Sequence, residues 1–192
     1  MNNFWLNLDK GSKAEDFLSD FLEEMFSWKF IAGNKNGKVV NSEYIEKVFN
    51  CKYLQEGKYE DGYHGARLQF SNGDIAIMPD LLFLSSHDET FWVESKASFN
   101  HLYKSIDIEV NKVNSYLTIQ KHCGRTVWLV LTIVNKKEKT CRIYSVSMKR
   151  LNKYITINNV KETKNSFSSL VYRIPVNSNL FNSLTQTDIK YG

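Results

Sequence analysis

Asp80, Glu94 and Lys96 are the residues of this chain whose types and spacing suit chemistry. They lie in MPDLLFLSSHDETFWVESKA, residues 78–97, which reads as a β-hairpin. An apolar run from Asp80 to Leu84 leads into a short polar turn over Ser85 to Thr90, and a second run follows from Phe91 to Lys96. Side chains alternate faces along a strand, so Trp92, Glu94 and Lys96 share one face and Phe91, Val93 and Ser95 the other. A turn centred between His87 and Asp88 pairs Asp80 with Ser95 and leaves it beside Glu94 and Lys96. Two carboxylates and a lysine then converge within a largely apolar sheet. Unpaired charge is rarely buried, so the cluster demands an account. One account is a salt bridge from Lys96 to either carboxylate. The other is a divalent-cation site, because Mg²⁺ binds carboxylate oxygens and keeps several waters, one of which a neighbouring lysine would position or deprotonate.

The elements around the hairpin must aim these groups. Pro79 cannot donate a ladder hydrogen bond, so a bulge or bend is expected just before Asp80, where it would re-aim the carboxylate. Upstream, Ala14, Phe17, Leu18, Phe21, Leu22, Met25 and Phe26 recur with helical period, predicting a helix from Ser12 to about Trp28. At about 100° per residue Glu15 falls inside the apolar arc, between Leu22 and Phe26. It either closes a capping box with Ser12 or turns a carboxylate toward the core. Downstream, a long helix is expected from Asn100 to His122 with Gly124 as its C-cap and Ile106, Val110, Val113 and Leu117 as its buried stripe. Lys112, Tyr116 and Gln120 form a second row at four-residue spacing, placed to contact backbone phosphates, to brace the hairpin or simply to face solvent.

The remaining strands are ARLQF (66–70), a strand from Ile75 to Leu84 after the turn Ser71 to Asp74, TVWLVLTIV (126–134) and Thr140 to Ser147. AGNKNGK reads as a flexible loop, a short helix starts near Asn41 or Ser42, and YLQEGKYEDGYHGA reads as a strand edge, a substrate-touching loop or, favoured by its composition, a solvated loop. The C-terminal part offers a basic helix around Met148 to Tyr154, carrying Lys149, Arg150 and Lys153. A strand from Ser169 to Ile174 and a last helix from Asn177 to Leu184 follow.

With 192 residues, 42% of them hydrophobic and 14% aromatic, the chain suits one folded domain. No apolar run reaches the length of a membrane span, and no signal-peptide pattern opens the sequence. Cys51, Cys123 and Cys141 are scattered, without a CxxC pair, which favours free thiols in a reducing cytoplasm. The net charge of +4 is unevenly spread. Residues 135–192 hold eleven Lys and Arg against three Asp and Glu, a net +8, and the rest is net −4. A basic third attached to a carboxylate-bearing core suits a polyanionic partner, although a solvated lysine-rich surface has the same composition. No Walker-type sequence or Ser/His/Asp set competes for the chemistry.

Pro79-Asp80, thirteen intervening residues and Glu94-Ser95-Lys96 resemble the signature of the PD-(D/E)XK nuclease superfamily. The order helix, three strands, helix, strand is similar to its restriction-endonuclease-like αβββαβ core over about residues 11–134, with 135–192 as a basic extension. Among its members the resemblance is greatest to Holliday-junction-resolvase-like and phage or bacterial nucleases. It implies an α/β fold with a mixed central sheet flanked by helices and a Mg²⁺-dependent deoxyribonuclease, with Mn²⁺ able to substitute. Asp80 and Glu94 would be ligands, the Ser95 carbonyl a further ligand, and Lys96 would orient the attacking water. It also implies that Glu15, with Gly11 and Ala14 beside it, completes the active site. A homodimer would pair two such sites. The alternative is a non-catalytic nucleic-acid-binding or assembly module that keeps the fold.

Overall fold

Phe91, Trp92 and Val93 put apolar side chains on both faces of the first half of Thr90–Ser98, and Val, Ile, Leu and Trp residues do so along Val127–Asn135, as strands covered on two sides require. Both are strands in the computed structural model, which describes residues 12–35, 38–58, 64–98, 104–135, 137–165, 168–176, 179–185 and 189–190. In chain order the elements begin with α1 (Ser12–Phe26), β1 (Lys29–Lys35), β2 (Lys38–Val40), α2 (Ser42–Phe49), β3 (Cys51–Lys58) and β4 (His64–Phe70). Next come β5 (Ile75–Ile77), β6 (Leu81–Leu84), β7 (Thr90–Ser98), β8 (Ser105–Glu109), α3 (Val110–Cys123) and β9 (Val127–Asn135). The chain continues through β10 (Thr140–Ser147), α4 (Met148–Ile157), β11 (Glu162–Lys164), β12 (Leu170–Pro175), β13 (Asn182–Ser183) and β14 (Ile189–Lys190).

This is a mixed α/β fold built on one large sheet, in the order β13-β10-β9-β7-β6-β1-β2, with β14 also on β10. β7 is its central strand, antiparallel to β6 and parallel to β9. The parallel pairing needs a crossover, and β8 with α3 supplies it. Two smaller sheets, β3-β4-β5 and β11-β12-β8, complete the architecture. On one face of the large sheet, Leu18, Phe21 and Leu22 of α1 pack with Leu81, Phe83, Phe91 and Val93. On the other, Leu82, Trp92, Leu129 and Leu131 pack with Val113, Tyr116 and Ile119 of α3, Leu151 and Ile155 of α4, and the β3-β4-β5 sheet. Among the described residues no helix is long and apolar enough to cross a membrane.

Several expected elements are placed differently. Of AGNKNGK, residues 32–35 belong to β1, which pairs with β6, and Lys38 opens β2, which returns against β1; residues 36–37 lie outside the described residues. YLQEGKYEDGYHGA begins inside β3, which pairs with β4. The single strand expected from Ile75 to Leu84 divides in two. Ile75–Ile77 pairs with β4, and Leu81–Leu84 joins the large sheet. Pro79 lies between them, where the chain leaves one sheet for the other, as its missing N–H suggests. The long helix starts at Val110, because Ser105–Glu109 alternates buried Ile106 and Ile108 with partly exposed neighbours and pairs with β12. In place of a last helix, residues 179–180 form a turn before β13.

Candidate active site

The geometry of the hairpin fixes the two carboxylates. β6 and β7 pair Leu81 with Val93 and Leu84 with Thr90, which centres the turn on His87. The turn closes through Ser85, whose N–H donates to the Glu89 carbonyl at 2.9 Å and whose Oγ accepts from the N–H groups of His87 and Glu89 at 3.2 Å. Asp88 takes the left-handed conformation that this turn needs, with φ 59°. The turn centre is thus half a residue earlier than the sequence spacing suggested, and the ladder ends at the Leu81–Val93 pair, one residue short of Asp80.

Asp80 occupies a bend immediately before β6. Beyond Leu81 no β6 backbone continues the ladder, and the Asp80 carboxylate takes its place: Ser95 N–H donates to Oδ2 at 2.8 Å. A strand residue presents N–H and C=O to the same edge, so the Ser95 carbonyl lies on the edge beside Asp80. β1 passes close beneath this bend at Gly33, which has φ +130°. A Cβ there would sit 2.3 Å from the Asp80 carbonyl oxygen and 2.9 Å from Leu81 Cα. Glycine is therefore required by both backbone angle and space. Sequence reasoning missed this residue, because Gly-Asn composition reads as a loop until the pairing of β1 with β6 is known.

Glu94 points from the centre of the sheet toward α3 and is 2% exposed. Lys112 Nζ donates to its Oε1 at 2.5 Å, and the Tyr116 hydroxyl donates to its Oε2. Residues four apart share one face of a helix, so both side chains reach the same carboxylate. Gln120, one turn further on, accepts from the Val127 N–H through Oε1 at 2.9 Å. The helix ends at Gly124, with φ 62° and its N–H donating to the Gln120 carbonyl at 3.0 Å. Its last turn is also anchored from outside, where His122 Nε2 lies 2.7 Å from Asp74 Oδ2 and its ring stacks on Phe70 at 4.4 Å. The row Lys112, Tyr116 and Gln120 thus braces the hairpin strand and its neighbour. Tyr116 is fully buried, which replaces its expected contact with phosphate. The buried stripe of the helix is Val113, Tyr116 and Ile119, shifted from the expected one because Ile106 belongs to β8.

Burial pushes the Glu94 carboxyl up, and the nearby Lys112 and Lys96 ammonium groups, with the hydrogen bonds from Lys112 and Tyr116, more than reverse it. The net effect holds the carboxyl below its ordinary range, so Glu94 is ionised despite its burial. Lys96 follows on the same face of β7 and is half-buried. Glu15 lies in the first turn of α1, and its side chain falls outside the described residues. The body of α1 packs on the Phe91 and Val93 face of the sheet, across from Glu94. On α4, Lys149, Arg150 and Lys153 are all exposed. Arg150 is committed to its own chain, donating to Asn182 Oδ1 at 3.0 Å and to the Asn179 carbonyl at 2.5 Å. Burial pushes the thiols of Cys51 and Cys123 up to about 11 and about 12, which makes both poor nucleophiles.

Among the described residues no group of three or more His, Cys, Asp or Glu side chains gathers as a metal cage. Mg²⁺ does not need one, since it commonly takes one or two carboxylates and keeps its waters. Asp80, Glu94 and the Ser95 carbonyl are hard oxygen donors of that kind. The Lys112 ammonium on Glu94 Oε1 already marks the position as one that holds a cation. The donor set therefore fits a hard divalent ion. No family model matches the chain, and no curated protein matches it.

Proposed function

We propose that this protein is a divalent-metal-dependent nuclease that hydrolyses DNA phosphodiester bonds. The observation that carries the reading is the end of the β6–β7 hairpin, where Asp80 Oδ2 accepts from the Ser95 N–H and Glu94 and Lys96 flank that residue on one face of β7. The order α1, β1, β6, β7, α3, β9 supports it, since a helix, three antiparallel strands, a crossover helix and a parallel strand resemble the PD-(D/E)XK core. Asp80, Glu94 and the Ser95 carbonyl would hold Mg²⁺ or Mn²⁺, with Glu15 as the further ligand that the resemblance implies. Bound there, the ion supplies an acidified water and neutralises phosphate charge.

The chain's own residues do the rest. Lys96 orients the attacking water and stabilises the negative charge that develops on the phosphate. Asp80 keeps β7 in register through the Ser95 amide, and Lys112 and Tyr116 keep Glu94 ionised and aimed. Lys149 and Lys153, four residues apart on the exposed side of α4, would attract the polyanionic backbone. A homodimer would bring two sites to one duplex. The deciding experiment is a cleavage panel of duplex, single-stranded, flap and four-way-junction DNA with Mg²⁺ or Mn²⁺. Metal-dependent cleavage that disappears in Asp80→Ala and Lys96→Ala supports the reading, and full activity in either variant sinks it.

One observation favours a second reading. Both Glu94 oxygens are engaged inside the protein, by Lys112 and Tyr116, as in a structural ion pair. A non-catalytic nucleic-acid-binding or assembly module would show salt-sensitive binding, with a steep loss of affinity as salt rises, and no cleavage with either metal.

A further inference from the structure

We propose that Lys112 is the resident counter-ion of the hairpin site, and that a divalent cation binds there by taking Glu94 from it. The inference rests on the metal-dependent reading above and adds a built-in competitor to it. Glu94 is 2% exposed and Lys112 only 14%, with 2.5 Å between Nζ and Oε1. An ammonium this close to a buried carboxylate occupies the volume that a cation on that oxygen would need. Among the described residues the carboxylates of Asp80 and Glu94 are accompanied by the ammonium groups of Lys96 and Lys112. Adding a doubly charged ion while both lysines stay would place excess positive charge beside the buried Glu94, which is costly.

Two features make Lys112 the group that yields. Its four-carbon stem is flexible and its ammonium well hydrated, so a swing toward water is open to it. Tyr116, in contrast, is packed in the core at 0% exposure and stays on Oε2. Lys96, on the strand itself, remains near the reacting phosphate. The ion-free protein therefore keeps Glu94 ionised and aimed, ready for a divalent ion. Entry of the ion exchanges one salt bridge for another and adds one positive charge at the site instead of two.

The test is calorimetric titration of the full chain with Mn²⁺, without nucleic acid. Lys112→Gln keeps a hydrogen-bond donor and removes the charge. It is expected to bind Mn²⁺ roughly tenfold tighter than the wild type, a coupling of ordinary size. Lys112→Arg keeps the charge and should bind no tighter than the wild type. In the wild type, the ¹⁵N signal of the Lys112 ammonium should shift during a Mg²⁺ titration with the midpoint of metal binding. Equal or weaker Mn²⁺ binding by Lys112→Gln overturns the inference while leaving the metal site intact. If that variant does not fold, an ammonium signal unmoved by bound Mg²⁺ overturns it equally. If neither the wild type nor Lys112→Gln takes up Mn²⁺, the metal-dependent reading itself falls, and the inference with it.

Discussion

On one face of β7, Phe91 and Val93 pack against α1 in a wholly apolar cluster. Phe91 stands 4.7 Å from Trp28 and 5.9 Å from Phe83, ring centre to ring centre. On the other face, Trp92 is equally buried, but the next two positions inward are Glu94 and Lys96. The same nine residues thus present a closed aromatic wall to one helix and an ion pair to the other. Charge placed against α3 is tolerated because that helix supplies Lys112 and Tyr116, whereas α1 presents Leu18, Phe21 and Leu22. Rigidity on the first face is what allows the second to hold charged groups at fixed positions.

Substitutions can break this contrast, and the largest effect should come from the apolar wall. Phe91→Ala is expected to cost about 3–5 kcal/mol of stability, read as a lower denaturant midpoint, while cleavage per folded molecule is retained. Tyr116→Phe, on the charged face, removes a hydrogen bond to a buried carboxylate and should cost about 1.5–3 kcal/mol. Thermal melts across the acid range sharpen this point. The Glu94 carboxyl is held below its ordinary 4.5, so its contribution is present above that value and lost as pH falls through the lower folded value. The difference in melting temperature between wild type and Glu94→Gln should therefore shrink on acidification; a difference that grows would contradict the account.

Gly33→Ala should cost about 1–3 kcal/mol through backbone strain, and the clash with the Asp80 carbonyl should also shift that residue. The expected readout is a loss of cleavage larger than the loss of folded protein. The smallest effect belongs to α4. Lys149→Ala with Lys153→Ala should change stability by no more than about 0.5 kcal/mol and yet weaken DNA binding. The slope of log affinity against log salt should fall by up to about 2.

Much of this contrast was legible in local sequence. The alternation of Phe91 to Lys96, the apolar run at 126–134, the Thr140–Ser147 strand, the basic helix at Met148 and the Gly124 cap all depend on neighbouring residues. What escaped was non-local. β1 and β3 are polar and glycine-bearing, and become strands through pairing with β6 and β4. The single strand read from Ile75 to Leu84 hid a change of sheet, although Pro79 marked the place. The register slipped by one residue because the turn accommodates Asp88 at positive φ, a choice that spacing does not reveal. Asp80, Glu94 and Lys96 are legible in motif spacing, and bracing of the hairpin is one reading of the row Lys112, Tyr116 and Gln120, but the closure of Lys112 and Tyr116 on Glu94 itself is a tertiary contact.

The proposed metal-dependent hydrolysis would take place on the charged face of β7. The most direct measurement is Mg²⁺-dependent cleavage of branched and duplex DNA by wild type, Glu94→Gln and Lys96→Ala proteins, each checked for folding by its melt. The account predicts cleavage by the wild type that chelation abolishes, and a loss of at least about a hundredfold in both variants while they remain folded. Cleavage by folded Glu94→Gln protein at the wild-type rate would contradict it.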